Sequence, residues 1–321
     1  FKYNIYNKGI VFVKYKGGIF MNKNDFKDFQ NYLIDKKHFS SNTVNSYERD
    51  LRKLFIYLDS NGYDCDDIRS WLTEVCINNY MEYLRDNKYS AATLARTVST
   101  VHVYSEYLFD KNIIKDKPQI DIKITKDAEH DLVIFTRDEI AQILDIDTLT
   151  LNDFRDKAIF ELSYSIGIKP TECINLEMKD VNLEIGYIKY RKQDGYRTVA
   201  LNTESIEAIR NYLDALKKHK VPISEESKLF LNHDGEGISR QGYWKIFKKR
   251  QKELELTKEL NTMNFRNSLA VHLLEDNVPI QDVQEILGLK NIHSLKSYIK
   301  SLKKTKAIKR MFSNHPRKAM K

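Results

Sequence analysis

The sequence predicts a mainly α protein of two domains: an all-helical first domain and a mostly helical second domain with a small antiparallel β-sheet. Three observations lead to this prediction. The length of 321 residues fits two domains. Apolar residues recur at spacings of three and four over most of the chain, as on the buried face of a helix. One segment, residues 185–201, alternates instead around Asp194-Gly195, a pair typical of hairpin turns.

Residues 1–20 lie ahead of the helical pattern and do not enter the fold prediction. They show no helical periodicity, and they precede Met21 in a chain that opens with Phe1. Residues 16–21 back-translate to codons that contain a ribosome-binding site at a normal distance from a start codon. We expect a translated leader with Met21 as the start; a genuine N-terminal strand or an expression scar is the alternative.

Residues 21–115 predict an all-helical domain of four helices. The first is indicated by apolar residues at helical spacing from Phe26 to Leu33. The other three are predicted from a Ser40 or Ser41 cap to Asn61-Gly62, over residues 70–87, and from a Ser90 cap through residues 91–109. The apolar face of the helix predicted over residues 70–87 includes Val75 and Tyr83.

Residues 116–132 are the expected linker, because they are polar, contain Pro118 and have no helical stripe. The second domain, residues 133–321, opens on a capping box from Thr136 to Glu139 for a helix that ends at Leu144. Further helices are expected over residues 153–166, 203–219, 239–254, 263–277, 280–287 and 292–301. A basic tail follows: residues 296–321 hold ten basic side chains and no acidic one.

The charge balance favours a polyanionic partner. Lys and Arg number 53 against 45 Asp and Glu, which gives a net charge of +8. Several basic clusters fall within the second domain, where phosphate binding would explain them; solvated basic faces are the simpler alternative for any one cluster.

Several classes of protein lack support in the sequence. No apolar run approaches the ~18 residues of a membrane span. The three cysteines are scattered, which fits a reducing cytoplasm better than a disulfide framework. The eight histidines form no HxxxH or HExxH pair, and there is neither a P-loop nor a GxGxxG motif. We therefore expect a cytoplasmic protein with no metal and no cofactor.

Segments in the second half carry a family resemblance. The run KLFLNHDGEGISRQGYWKIF, then NTMNFRNSLAVHLLEDNVPIQDVQEILGL, then Tyr298 and His315-Pro316-Arg317 resemble, in this order, the tyrosine recombinase (phage integrase) family, most closely its Xer-type members. In the first half, SSNTVNSYERDLRKLFIYL and YSAATLARTVSTVHVYSEYL resemble the two DNA-clamping helices of its core-binding (SAM-like) domain. The resemblance is collinear from about residue 24 to the end, and it implies a two-domain clamp around DNA.

The family's chemistry defines the residues to look for. A tyrosine hydroxyl attacks a DNA phosphodiester, which leaves a 3′-phosphotyrosyl link and a free 5′-OH, and a second strand's 5′-OH reverses the step. The charge that develops on phosphorus needs cationic donors, which the family supplies as two Arg, a hairpin Lys and a His three positions before the second Arg. The resemblance also implies tetramers on double-stranded DNA, as homo-oligomers or with another recombinase.

Five positions of this chain correspond to the family's catalytic residues. Tyr298 matches the nucleophile and Arg266 the second Arg. Lys192 matches the hairpin Lys, with Arg191 or Lys189 as alternatives. The remaining two positions are Lys169, which stands where the first Arg belongs, and Glu172, the acidic residue three positions later.

Three departures predict weakened cleavage. Lys169 keeps a charge but lacks the planar fork that grips two phosphate oxygens. Met263 stands in place of the His before Arg266 and donates no hydrogen bond, and Leu289 replaces a His or Trp after Gly288. Loss of one transition-state donor costs ~10²–10³ in rate, although such losses are not additive.

Binding of DNA depends less on these positions. The candidate contacts lie on helices of both domains, where Arg and Gln suit base edges and phosphate contact is equally compatible. They are Arg52, Lys53, Arg96, Arg240, Lys245 and Lys248. Three readings remain open from the sequence: an active recombinase, a DNA-binding relative that does not cleave and serves as an architectural or regulatory partner of an intact recombinase, and a decayed remnant of a mobile element.

Overall fold

The computed structural model describes residues 23–122, 124, 132–192, 195–289 and 291–303, with backbone alone for 23–25, 192, 293 and 294. The predicted leader, the end of the basic tail with His315-Pro316-Arg317, and Asp194 lie outside the described residues. Contacts within the chain divide it into two compact units between residues 130 and 131. None of the described helices is both long and apolar enough to cross a membrane.

The described part of the first unit is all-helical. Its helices are α1 (Lys23–Asn31), α2 (Ser41–Ser60), α3 (Ile68–Trp71), α4 (Glu74–Asp86) and α5 (Ala91–Asp110). A π-helical turn, Tyr32–Lys36, extends α1. The serine caps are as predicted: Ser40 Oγ accepts from the Thr43 amide and Ser90 Oγ from the Thr93 amide, each at 3.3 Å.

The prediction of one helix over residues 70–87 is wrong in one respect, because two helices, α3 and α4, form in this part of the chain. Trp71 ends α3 fully buried, and its indole Nε1 donates to the Cys65 carbonyl at 3.3 Å. Thr73 then caps α4 by accepting from the Cys76 amide at 3.3 Å. Because α4 begins separately after Thr73, its buried face differs from the predicted one. Val75, predicted to be on the apolar face, is 70% exposed. The core of the unit is aromatic and aliphatic, and Ile120, from the predicted linker, also packs in it.

The described part of the second unit holds eight helices and one three-stranded sheet. In chain order they are α6 (Arg137–Leu144), α7 (Leu151–Ile166), α8 (Pro170–Cys173), β1 (Val181–Asn182), β2 (Tyr187–Lys192), β3 (Gly195–Ala200), α9 (Thr203–Lys218), α10 (Arg240–Glu253), α11 (Thr262–Glu275), α12 (Ile280–Leu287) and α13, residues 296–303. Thr136 and Glu139 form the predicted capping box of α6. The mainly α prediction with a small antiparallel sheet is therefore confirmed.

The register of the hairpin decides which residues face the core. β2 and β3 pair antiparallel, with Tyr190 opposite Arg197 and Lys192 opposite Gly195. Because side chains alternate along a strand, the positions of Tyr190, Lys192 and Arg197 share one face. That face is the core-facing one, since Tyr190 is 2% exposed. Lys189 lies on the opposite face, with its Nζ 5.0 Å from the Tyr196 ring.

Candidate active site and DNA-binding surface

Arg266 lies at the meeting point of three helix ends. It belongs to the second turn of α11, whose start is capped by Asn261, and its side chain is almost fully buried. One terminal nitrogen of the guanidinium donates to the carbonyl of Gly167, just past α7, and the other to the carbonyl of Leu287, at the end of α12. Both carbonyls are helix-end groups without an intrahelical partner. Arg266 therefore connects α7, α11 and α12.

Gly167 makes this approach possible. Its φ of +58° is in the left-handed region, which glycine adopts without strain. A Cβ at this position would lie 2.9 Å from Leu287 Cδ2 and 3.3 Å from Arg266 Cγ. A larger residue would thus be strained by this φ and would press on the side chains of Leu287 and Arg266.

Tyr298 is close enough to Arg266 to interact with it electrostatically. It lies on α13 and is only 7% exposed, in an apolar cluster that includes Leu287, Leu295 and Leu302. Burial raises the pKa of the Tyr298 hydroxyl, and the Arg266 charge acts in the opposite direction. The hydroxyl is therefore protonated at neutral pH, on a residue that is mostly buried in this conformation.

Lys169 and Glu172 lie two and five residues after Gly167, at the start of α8. The Lys169 amide donates to Glu172 Oε2 at 3.0 Å, and the Lys169 Nζ lies 3.9 Å from Glu172 Oε1. Lys169 is about half exposed, whereas Glu172 is nearly buried. Burial lowers the pKa of Arg266, while Tyr298, Glu172 and Tyr190 all raise it. Tyr298 and Glu172 thus both lie within electrostatic reach of Arg266, and Lys169 is paired with Glu172.

The candidate lysine of the hairpin, Lys192, is the last residue of β2. The backbone position of Lys192 lies on the core-facing side of the sheet, with Tyr190; its side chain lies outside the described residues. The two alternatives, Lys189 and Arg191, occupy the opposite face by strand alternation.

Two of the three substituted positions, Met263 and Leu289, offer no replacement donor. Met263 occupies the first turn of α11, three residues before Arg266, and is 62% exposed. Leu289 packs against the apolar cluster around Tyr298, and its amide donates to the Gln284 carbonyl at 3.0 Å. A thioether and an alkyl group can neither donate to a phosphate oxygen nor move a proton.

The sequence reasoning did not select Arg197, which the structure joins to the site. Its guanidinium donates to the carbonyls of Glu285 and Ile286 and, at 2.9 Å, to the hydroxyl of Tyr190. Strand alternation was the available signal: an arginine on the strand face that also carries the buried Tyr190 must find polar partners.

The candidate DNA contacts of the first unit are already engaged within the unit. Arg52 donates to Glu48 at 2.8 Å, and Lys53 Nζ lies 4.5 Å from the centre of the Tyr89 ring. Arg96 holds the buried carboxylate of Asp50 with two hydrogen bonds of 2.7 and 2.9 Å. These contacts orient the cations, and they give Arg96 a structural role as well.

Arg96→Ala is expected to lower the free energy of unfolding by ~2–3 kcal/mol, because Asp50 would keep a buried charge without a partner. Asp50→Ala is expected to cost less, since the Arg96 side chain is 42% exposed and water can solvate it. Denaturant unfolding of the full chain measures both changes. The double variant should be more stable than Arg96→Ala alone, and equal costs for the two single variants would contradict this account.

The candidates of the second unit lie on α10. Arg240 starts the helix after the Ser239 cap and is exposed, as is Lys245 one turn later. Lys248 pairs with Glu259 at 2.9 Å, and its Nζ lies 5.7 Å from the ring of Trp244, which is 55% exposed. The helix therefore presents cations and one aromatic ring on its exposed side. Among the described residues, no group of three or more His, Cys, Asp or Glu side chains could hold a metal ion.

Comparisons with known proteins agree with this arrangement. The phage integrase family profile matches residues 134–305, and the profile of the phage integrase N-terminal SAM-like domain matches residues 26–112. The tyrosine recombinase XerD of Listeria monocytogenes serotype 4b (strain F2365) is 32% identical over 295 residues, which cover 91% of this chain and 98% of the relative. The XerD of Staphylococcus epidermidis (strain RP62A) is 30% identical over 294 residues, with the same coverage.

Solved structures show the same fold. The XerH recombinase bound to palindromic difH substrate, a post-cleavage complex, matches with a TM-score of 0.72 at 18% identity, over 90% of this chain and 84% of that one. A λ integrase dimer bound to a COC′ core site matches with a TM-score of 0.60 at 16% identity, over 85% of this chain and 96% of that one. The chain belongs to the phage integrase family of tyrosine recombinases.

Proposed function

We propose that this protein is a cytoplasmic site-specific recombinase that binds double-stranded DNA and cuts it through Tyr298, at a rate reduced by its substituted site. The observation that carries the proposal is that Tyr298 lies within electrostatic reach of Arg266. Glu172 lies within the same reach of Arg266 and is paired with Lys169. The XerH and λ integrase structures of the same fold were solved with DNA, which supports DNA as the partner.

Each residue of the site has its own role in the proposed reaction. The Tyr298 hydroxyl gives its proton to water as its oxygen bonds to phosphorus. The bond from phosphorus to the 5′ oxygen breaks at the same time, and Lys192 gives a proton to that leaving oxygen. Arg266 and Lys169 balance the negative charge that grows on the other phosphate oxygens. The 5′-OH of a second strand then displaces Tyr298, so that one phosphodiester bond replaces another without an energy-rich cofactor. Glu172 orients Lys169 through their ion pair.

Two features of the site reduce the rate in this proposal. Met263 leaves one transition-state donor missing, and the Tyr298 ring is mostly buried in an apolar cluster, which restricts the approach of phosphorus to the hydroxyl. Recombination joins two sites, which requires several protomers on DNA. We therefore propose self-association, or pairing with another recombinase, on the bound DNA.

Tyr298→Phe is expected to abolish the covalent protein–DNA adduct and to leave DNA binding intact. The full chain would first select its site from a pool of randomised duplexes. The selected DNA, nicked so that the cleaved end diffuses away and traps the adduct, is then incubated with the protein and run on a denaturing gel. Mass spectrometry of the adduct identifies the linked peptide.

Tyr212→Phe is the matched control, because it also removes a buried hydroxyl, one that accepts from the Leu231 amide at 3.1 Å. It should retain the adduct. An adduct that survives Tyr298→Phe would refute the assigned nucleophile, and specific binding without any adduct from the unmodified protein would support the non-cleaving DNA-binding alternative.

A further inference from the structure

Two arginines share the C-terminal end of α12. Arg197 donates to the carbonyls of Glu285 and Ile286, the latter at 2.8 Å, and Arg266 donates to the next carbonyl, that of Leu287. The last carbonyls of a helix lack intrahelical partners and carry partial negative charge, which cations stabilise. Gly288, with φ of +57°, ends the helix at this point, and the chain continues toward α13 and Tyr298.

Arg197 also fixes both strands of the hairpin. It lies on β3, and a third donor reaches the buried hydroxyl of Tyr190 on β2 at 2.9 Å. The backbone position of Lys192 comes two residues after Tyr190, on the same face and at the hairpin's tip. β1 pairs with β2 through Val181 and Asn182 alone, and two-stranded hairpins are only marginally stable without further packing. The position of the tip therefore depends on contacts such as those of Arg197.

We infer that Arg197 is a positioning residue for strand cleavage: it ties the hairpin to the end of α12 and so sets where Lys192 meets the leaving oxygen relative to Arg266. This inference rests on the proposed function. A tether is needed because a displacement of ~1 Å at a reacting group can cost ~10²-fold in rate. Lys at this position could not replace Arg197, since the contacts to two carbonyls and a hydroxyl require several donors in a planar fork.

Arg197→Gln is expected to slow single-turnover adduct formation by ~10²–10³-fold on ordinary DNA, as is Lys192→Ala, because proton transfer contributes ~10²–10⁴. The defect should shrink to less than ~10-fold when sulfur replaces the bridging 5′ oxygen, because a thiolate (thiol pKa about 8.5) leaves without being protonated. Combining the two substitutions should cost little more than either alone, since both remove one function. Arg197→Lys should recover only part of the rate.

Arg250→Gln is the matched control. Arg250 donates from α10 to the carbonyls of Gln142, Ile143 and Asp145, at the C-terminal end of α6. It thus makes the same kind of contact with α6 that Arg197 makes with α12. Its loss should destabilise the same unit, yet leave the ratio of oxygen to sulfur cleavage rates at the unmodified value.

Hydrogen exchange tests the tether without any cleavage. Arg197→Gln should speed exchange at the hairpin amides and at the Leu289 amide, which bonds to the Gln284 carbonyl, whereas Arg250→Gln should not. Unchanged exchange in Arg197→Gln, or equal rate losses on oxygen and sulfur substrates, would overturn the inference. If the unmodified protein cuts neither substrate, the proposed function fails, and the exchange result alone decides whether the tether exists.

Discussion

Met263→His combined with Lys169→Arg is expected to raise the rate of covalent adduct formation by at least ~10²-fold. Met263 lies three residues before Arg266 on α11, so a histidine there would share the helix face of Arg266, toward the phosphate that Arg266 binds in the proposed reaction. One transition-state donor contributes ~10²–10³-fold, and an arginine fork at Lys169 adds a second contact to phosphate oxygens. The single-turnover rate on nicked duplex measures the gain.

The gain should come without a loss of stability. Met263 is 62% exposed, so a polar ring at this position does not have to be buried. Leu149→His is the matched control, since it places a histidine at another exposed apolar position of the second unit, 86% exposed. It should leave the rate unchanged. A double variant that cuts no faster than the unmodified protein would show that the missing donors do not limit the reaction, and would shift attention to the exposure of Tyr298.

Local signals in the sequence predicted most of the fold, because each depends on neighbours a few residues apart. Ser40, Ser90 and Thr136 each accept a backbone hydrogen bond from the third residue that follows, which the sequence displays directly. The break between α3 and α4 was not foreseen, because Thr73 starts a new helix where the apolar spacing continues. The apolar spacing predicts one continuous helix there, whereas the Thr73 cap starts a second helix. The burial of Trp71 at the end of α3 favours the second arrangement.

The residues of the candidate site also differ in whether local sequence signals indicate them. Positions such as Arg266 and Tyr298 were selected from the order of motifs along the chain, and the structure gathers them. For Arg197, strand alternation indicates only a need for polar partners; the partners themselves cannot be predicted, since they lie 88 and 89 residues away at the end of α12. Likewise, the pairing of Arg96 with Asp50 joins two helices and cannot be predicted from the local sequence.

Arg266→Lys is expected to reduce adduct formation by at least ~10³-fold and to lower the free energy of unfolding by ~2–4 kcal/mol. The rate falls because an ammonium cannot grip two phosphate oxygens as a guanidinium can. The stability falls because the fork holds the carbonyls of Gly167 and Leu287 together, and a buried carbonyl left without its donor costs ~1–3 kcal/mol. Single-turnover cleavage and denaturant unfolding of the full chain measure the two effects.

A stability-matched variant separates the two roles of Arg266. Leu162 on α7 is fully buried in the main core of the second unit, and Leu162→Ala should cost ~2–5 kcal/mol. Compared at a temperature where both variants are folded, Leu162→Ala should cut DNA at nearly the unmodified rate, whereas Arg266→Lys should not. If both variants cut equally well, the hydrogen bonds to the ends of α7 and α12 account for Arg266 entirely, and the charge that stabilises the phosphate must come from Lys169.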